Sequence, residues 1–304
     1  MTAALSSRSL RAKSARARVQ PFLLGVLSVV LLAVVWELYK FAGPADGLTV
    51  GETRILPRTT DLAMPHVWDM IARLGGPLTG SSTAIPLWLA VLKAAGMSLG
   101  IAAIGWSLGL IVGFALAVLM QRFRIAESAV LPLVILSQTV PLIALAPVVR
   151  VWGSRLEFGS FEWESWMSVA VIASYLAFFP IAVGALRGLQ SPDAIHEELM
   201  RSYAAGWWKT LLYLRLPASV PYLLPALGLG AANAVIGTIV AEVSTGLSGG
   251  IGRMILDFSN FASSDPAKPW APIFGAILLG LVAAGLVSLL GLALGRYRRA
   301  EVSR

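Results

Sequence analysis

From Ser165 to Leu189 the chain carries one charged side chain, Arg187; every other residue there is apolar, small, aromatic or uncharged. A helix of roughly 18 or more such residues covers the ~30 Å hydrocarbon core of a bilayer, and a soluble domain has few ways to bury it. Similar runs recur, and with their aromatic and basic flanks the spans fall at about 21–42, 95–120, 128–152, 165–189, 219–243 and 271–295. Composition agrees: 57% of the 304 residues are hydrophobic and 13% charged, with mean hydropathy +0.77. The expected fold is all-α, a polytopic membrane bundle of about six transmembrane helices. The apolar segment 86–94 leaves two readings open, an interfacial approach helix with Lys93 snorkelling or an extension of the second span.

Orientation follows from the basic residues. An inside amino terminus gives the inside segments 15 of the 24 basic and 5 of the 16 acidic residues, so inside nets +10 and outside −2. This satisfies the positive-inside rule and predicts a multi-pass inner (plasma) membrane protein with both termini cytoplasmic. The first run follows a basic, serine-rich start like that of a secretory signal. Its full span length and the absence of a small-residue cleavage site at Trp36-Glu-Leu-Tyr-Lys-Phe41 favour a retained span.

The net charge of +8 does not point to nucleic acid, because the basic residues sit at the ends of apolar runs. Without cysteine there is no disulfide, thiolate nucleophile or cysteine metal site, and His66 and His196 lack ligand spacing. No His-Glu-x-x-His, G-x-S-x-G or Walker A loop is present; Gly206-Trp-Trp-Lys-Thr210 lacks the glycine-rich turn and the preceding strand. No catalytic or metal residue and no cofactor is expected in this chain. Nucleotide-driven transport would place the ATPase on another chain.

Several motifs bear on helix packing and a solute pathway. Gly96, Gly100, Gly105, Gly109 and Gly113 line one face of the second span, either for close contact at a bundle or dimer centre or by chance. The third span contains Ser137-Gln-Thr-Val-Pro141 and Pro147, which predict a kink or interruption. Gln138, Thr139 and Pro141 are candidate pathway residues, or simply a kink bonded to a neighbour. In the fifth span Asn233 and, nearer the outer interface, Glu242 each serve a pathway or a structural bond. Gly246-Leu-Ser-Gly-Gly-Ile-Gly252 reads as an outside turn or short re-entrant loop.

Between spans four and five lies a polar interlude, 190–218. Ser191 is a candidate N-cap, Pro192 suits the first helical position, and Asp193, Glu197 and Glu198 suit the helix start, predicting a helix over about 192–203. Ile195, Leu199 and Tyr203 share one face. Ala204-Ala-Gly206 permits a turn, and Trp207 to Leu214 resume as a second helix ended by Leu216-Pro217. An amphipathic hairpin resting on the headgroups, anchored by Trp207 and Trp208, is the competing reading.

This interlude resembles the signature of inner-membrane permease subunits of binding-protein-dependent ABC importers: E-A-A, three residues, G, nine residues, I-x-L-P. Registered on Leu216-Pro217, Glu198, Leu199 and Met200 take the E-A-A places, Arg201, Ser202 and Tyr203 follow, and Ala204 takes the glycine place before Ala205 and Gly206. Leu214 takes the isoleucine place. Val140-Pro-Leu-Ile-Ala-Leu-Ala-Pro147, Trp152-Gly153, Pro221-Tyr222, Gly237, Glu242 and Gly249-Gly-Ile-Gly252 are similar to the nitrate, taurine and alkanesulfonate branch.

The resemblance implies that the interlude couples to a cytoplasmic ABC ATPase dimer, which holds the ATP and Mg. It also implies an extracytoplasmic substrate-binding protein, a permease homodimer in membrane lipid, and cargo such as nitrate, a sulfonate, or a vitamin or pyrimidine precursor. The implied layout is a basic tail at 1–20, a first helix at 21–42, an external loop and approach segment at 43–94, a permease core at 95–295 and a tail at 296–304. The alternative is an ion- or proton-driven secondary transporter, which calls for midplane ionisable residues and an inverted repeat.

Overall fold

The computed structural model describes residues 23–81, 84–156 and 162–293. The expected tails at 1–20 and 296–304 lie outside the described residues. Among those residues five helices are long and apolar enough to cross a membrane, or six if one bent pair forms a single span.

The chain divides into two compact units. The first comprises helix α1 (Leu23–Ala42), a hairpin of β1 (Leu48–Val50) and β2 (Thr53–Leu56), helix α2 (Val67–Gly75), and the segment 261–269. The hairpin and α2 fall in the segment 43–94, expected from the sequence as a loop and approach segment. Gly51 turns the hairpin at φ +63°, a conformation that an L side chain strains to adopt. The last turn of α1 grips the loop. Lys40 Nζ donates to the carbonyls of Thr59 and Met64 and to Asp61 Oδ1, while Glu37 accepts the Val67 N–H and contacts His66 Nδ1, both at 2.7 Å.

The second unit holds the remaining helices. Helix α3 (Leu87–Arg122) has 36 residues, about 54 Å at 1.5 Å per residue, so segment 86–94 extends the span from Leu87 onward. Helices α4 (Arg124–Ser137) and α5 (Leu142–Gly153) follow, then α6 (Ser165–Leu189), α7 (Ala194–Ser202) and α8 (Trp207–Thr210). A π-helical turn over Leu211–Arg215 leads into α9 (Leu216–Thr245), and α10 (Ile251–Ser259) and α11 (Trp270–Ala293) complete the unit.

Helices α3, α6 and α9 form the core, where glycines let backbones meet. A Cβ on Gly109 would lie 2.8 Å from Ala177 Cβ, and one on Gly188 2.8 Å from Ser219 Cβ. Gly105, Gly109 and Gly113 all face α6, whereas Gly96 and Gly100 face open space. The glycine stripe of α3 therefore serves helix packing within the chain only over its second half.

The expected third span is broken. Helices α4 and α5 meet at 102°, with Gln138–Pro141 at the corner. Pro141 is the N-cap of α5, whereas Pro147 lies inside it, so Pro141 alone breaks the helix. A proline disfavours helical geometry at the residue before it; Val140 lies outside any helix, whereas at Pro147 the surrounding turns absorb the one lost hydrogen bond.

Candidate functional site

Helix α7 begins at Ala194, two residues later than Pro192. The Ser191 hydroxyl donates instead to the carbonyls of Gly188 and Ala218, tying the start of the interlude to α6 and α9. Asp193 takes the extended N-cap conformation, and its carbonyl accepts from the His196 N–H. No residue of α7 is buried. Its apolar face is open to solvent, with Ile195 68%, Leu199 52% and Tyr203 77% exposed. Glu198 lines a shallow cleft on that surface with Ile195, His196, Leu199 and Ser202. The neighbouring Glu197 turns inward and accepts from Arg215 Nη2 at 2.8 Å.

The turn after α7 closes as a Schellman motif. The Ala204 N–H donates to Arg201 O and the Ala205 N–H to Met200 O, both at 2.9 Å. These bonds require a left-handed residue at Ala204, whose φ is +52°, the one positive φ outside glycine among the described residues. Gly206 has φ −67° as N-cap of α8, and open space surrounds the position of its missing Cβ. The bend is thus made at Ala204, with no shift to Gly206.

Beyond the turn the interlude, which stands as a handle on the bundle, is rooted in the core. Leu211 is buried against a cluster holding Ala117, Met120, Ala185 and Leu189. The Arg122 guanidinium lies 5.1 Å from the Trp207 ring centroid. Leu216-Pro217 does not end this helix; Trp207–Thr245 runs unbroken for 39 residues. In a regular helix the Pro217 ring presses on the carbonyl four residues back, at Tyr213. The widened turn over Leu211–Arg215, in which the Leu216 N–H donates to Leu211 O five residues back, relieves that pressure.

The pathway candidates fall into two groups. Gln138 and exposed Thr139 and Pro141 form the corner between α4 and α5; the Gln138 amide donates to Ser137 Oγ and the Thr139 hydroxyl to Leu136 O. The Tyr175 hydroxyl donates to the Ser137 carbonyl, and the Asn233 amide on α9 donates to Leu176 O at 3.2 Å. The corner and Asn233 are thus each bonded to one of two adjacent residues of α6.

Glu242 stands apart, nine residues further along α9, roughly 13 Å by helix rise. It is fully buried, not at an open interface as its position near the helix end suggests. Its Oε1 accepts from Ser98 Oγ at 2.6 Å and its Oε2 from the Gly252 N–H at 2.7 Å, while Ser98 Oγ accepts from the Ile251 N–H. A carboxylate placed against the first N–H groups of α10 complements the helix dipole. Gly250 admits it closely, because a Cβ there would overlap the carboxylate.

Sequence reasoning missed Ser98, Tyr175, the Arg215–Glu197 pair and Arg150, whose guanidinium donates to the Thr245 carbonyl at the end of α9. Polar residues inside apolar runs were the available signal for Ser98, Tyr175 and Arg150; their partners were not readable.

The family model for the binding-protein-dependent transport system inner membrane component matches residues 105–297. The chain is 32% identical over 262 residues to the formylaminopyrimidine transport permease protein ThiX of Halalkalibacterium halodurans, covering 84% of this chain and 88% of that protein. It is 26% identical over 294 residues to the putative aliphatic sulfonates transport permease protein SsuC of Bacillus subtilis, with 96% and 94% covered. To the nitrate import permease protein NrtB of a Synechocystis strain it is 22% identical over 264 residues, with 87% and 83% covered.

Proposed function

Because the chain belongs to the family of binding-protein-dependent transport system inner membrane components, we propose that residues 190–218 dock on a cytoplasmic ABC ATPase. The observation that carries this is α7, a helix that buries none of its residues, exposes Ile195, Leu199 and Tyr203 on one face, and is rooted in the bundle through Leu211. An apolar face projecting from a fixed root suits insertion into a partner's groove. Glu198, Met200, Arg201, Ser202 and the Ala204–Gly206 turn surround it, and Leu216 and Pro217 join the handle to α9.

In this reading two copies of the chain carry the pathway and two ATPases hold ATP and Mg, so hydrolysis takes place on the partner. Closure of the ATPase dimer draws the handles together and tilts the helices attached to them. Packed helices respond by switching between discrete arrangements. An external binding protein delivers the cargo, both termini face the cytoplasm, and the corner at Gln138, Thr139 and Pro141 with Asn233 lines the route.

The cargo is a small polar solute. The names of the relatives, which carry formylaminopyrimidine, sulfonates or nitrate, support that class, as does the uncharged polar character of the corner. Affinity-tagged chain purified from its own membranes captures an ABC ATPase, and the Leu199→Asp, Tyr203→Asp pair reduces capture at least tenfold while leaving insertion intact. Undiminished capture by the double variant removes the docking surface. Deleting the chain abolishes uptake of one solute among nitrate, sulfonates and pyrimidine precursors; unchanged uptake of all three removes the cargo class.

A further inference from the structure

We infer that Arg150 of α5 and Arg253 of α10 together receive a small oxyanion, a nitrate or a sulfonate, at the end of the bundle remote from the handle. The inference rests on the transport reading above and assigns a place where its cargo is held.

Both guanidiniums converge on Gly246, the left-handed residue that closes α9 at φ +70°. A Cβ built on Gly246 would lie 3.8 Å from Arg253 Nη1 and 4.0 Å from Arg150 Nη1, with nothing else outside its chain neighbours within 4 Å. The two nitrogens are therefore no further apart than the sum of those distances, about 7.8 Å. Charge-assisted bonds of about 2.8 Å to two oxygens of one anion reach across such a gap.

The elements that carry the arginines are fixed. Ala146, one turn before Arg150, is buried in a cluster with Ile172 of α6 and Ala241 of α9, which seats α5 on both helices. The Arg150 guanidinium donates to the Thr245 carbonyl. Arg253 directly follows Ile251 and Gly252, whose N–H groups donate to Ser98 Oγ and Glu242 Oε2. The buried Glu242 carboxylate thus sets the first turn of α10, and with it Arg253, beside the end of α9.

Charge and donors are left over at this point. Arginine stays protonated and carries five N–H donors in a planar fork that matches oxyanions. Arg150 uses Nη1 on Thr245, and Arg253 Nε pairs with Asp257 Oδ1 at 2.9 Å in a half-exposed contact that solvent screens. Among the described residues these are the polar contacts of the two side chains. Glu242, the other carboxylate on these elements, is committed to Ser98 and Gly252.

Their position suits entry. Arg150 is the one charged residue of α5 and lies eight residues after Leu142, so α5 runs about 12 Å from the corner at Gln138, Thr139 and Pro141 to the arginines. Helix α9 runs about 18 Å from Asn233 to Thr245. The same two helices thus carry a cationic station at their end and an uncharged polar one deeper in the bundle. Charge draws an anion to the first, and the second holds it with no ion pair to break. Of the cargoes proposed above, nitrate and sulfonates bring the oxygens this site takes; a pyrimidine precursor does not.

Melting of the solubilised full-length chain is followed in sodium nitrate, sodium ethanesulfonate and sodium chloride at equal concentration. Nitrate or ethanesulfonate raises the wild-type melting temperature by about 2 °C or more over chloride, and the Arg150→Gln, Arg253→Gln pair abolishes the rise. No rise in either salt, or a rise that survives the pair, overturns the site. Should the pair fail to insert, Arg253→Gln alone replaces it with the same outcomes, because one guanidinium does not bridge an anion from two sides. Cells lacking the chain and complemented with wild type or variant are then assayed for uptake. The variant lowers uptake of the transported anion about tenfold or more, while capture of an external binding protein by the tagged chain is unchanged. Undiminished uptake, or wild-type uptake of a pyrimidine precursor alone, overturns the assignment. Loss of capture together with uptake also overturns it, since the arginines then hold a carboxylate of the partner protein. Unchanged uptake of all three solutes after deletion of the chain removes the cargo reading instead, and the melting comparison still decides whether the arginines bind an oxyanion.

Discussion

The Glu242 carboxylate on α9 accepts a 2.6 Å hydrogen bond from the Ser98 hydroxyl on α3, and through it and the Gly252 N–H three helices are joined at one buried point. Removing the carboxylate leaves two buried donors unsatisfied, at about 1–3 kcal/mol each. Glu242→Ala is expected to destabilise by about 3 kcal/mol. Glu242→Gln keeps the shape and one acceptor, and costs about 1 kcal/mol. Denaturant unfolding of detergent-solubilised protein checks the order; equal losses would show that the bonds to the carboxylate contribute little.

Ala204 holds a left-handed conformation that costs an L residue about 1–2 kcal/mol. Ala204→Gly relieves this but gives the unfolded chain about 0.4–1 kcal/mol of extra entropy, so the net gain is roughly 0.5–1 kcal/mol. A β-branched residue has no such relief, and Ala204→Val lowers stability. Limited proteolysis of the handle reads both effects, with cleavage slowed in the glycine variant and accelerated in the valine one.

The glycines of α3 separate into two behaviours. A Cβ on Gly109 meets Ala177 Cβ at 2.8 Å and the Ser174 carbonyl at 3.0 Å, whereas one on Gly96 meets nothing within 4 Å. Gly109→Val is expected to cost at least 1–3 kcal/mol by overpacking, and Gly96→Ala to gain about 0.5–1 kcal/mol from helix propensity. Melting temperatures that move in the same direction for both would contradict the packing of α3 on α6.

The handle separates surface from root. Leu199 and Tyr203 are exposed, so changing either to aspartate alters stability by no more than about 0.5 kcal/mol. Leu211 is buried, and Leu211→Ala costs about 2–4 kcal/mol. Thermal unfolding of the three single variants in one detergent tests the contrast; a large loss at Leu199 would mean that α7 packs against the bundle.

Much of this architecture was legible along the chain. Apolar runs located the spans, and the spacing from Glu198 to Pro217 carried the family resemblance that the family match bears out. The corner near Pro141 was anticipated because proline acts on its own backbone and its neighbour's. What went astray had the opposite character. Ser191 reads as a cap until α6 and α9 offer it carbonyls, and Pro217 reads as a stop until a π-helical turn makes room for its ring. Glu242 reads as an interfacial acid until α10 brings two N–H groups to the site.

Hydrophobic length, charge bias and turn chemistry are properties of adjacent residues, so the amino-acid order alone determined a polytopic helical bundle and the place of its handle. The tertiary structure decided which glycines meet a neighbour, which of Glu197 and Glu198 turns inward to Arg215, and what the Glu242 carboxylate holds. Each of these depends on a partner supplied by another helix, and only packing determines which partners come within the 3 Å or so over which a hydrogen bond acts.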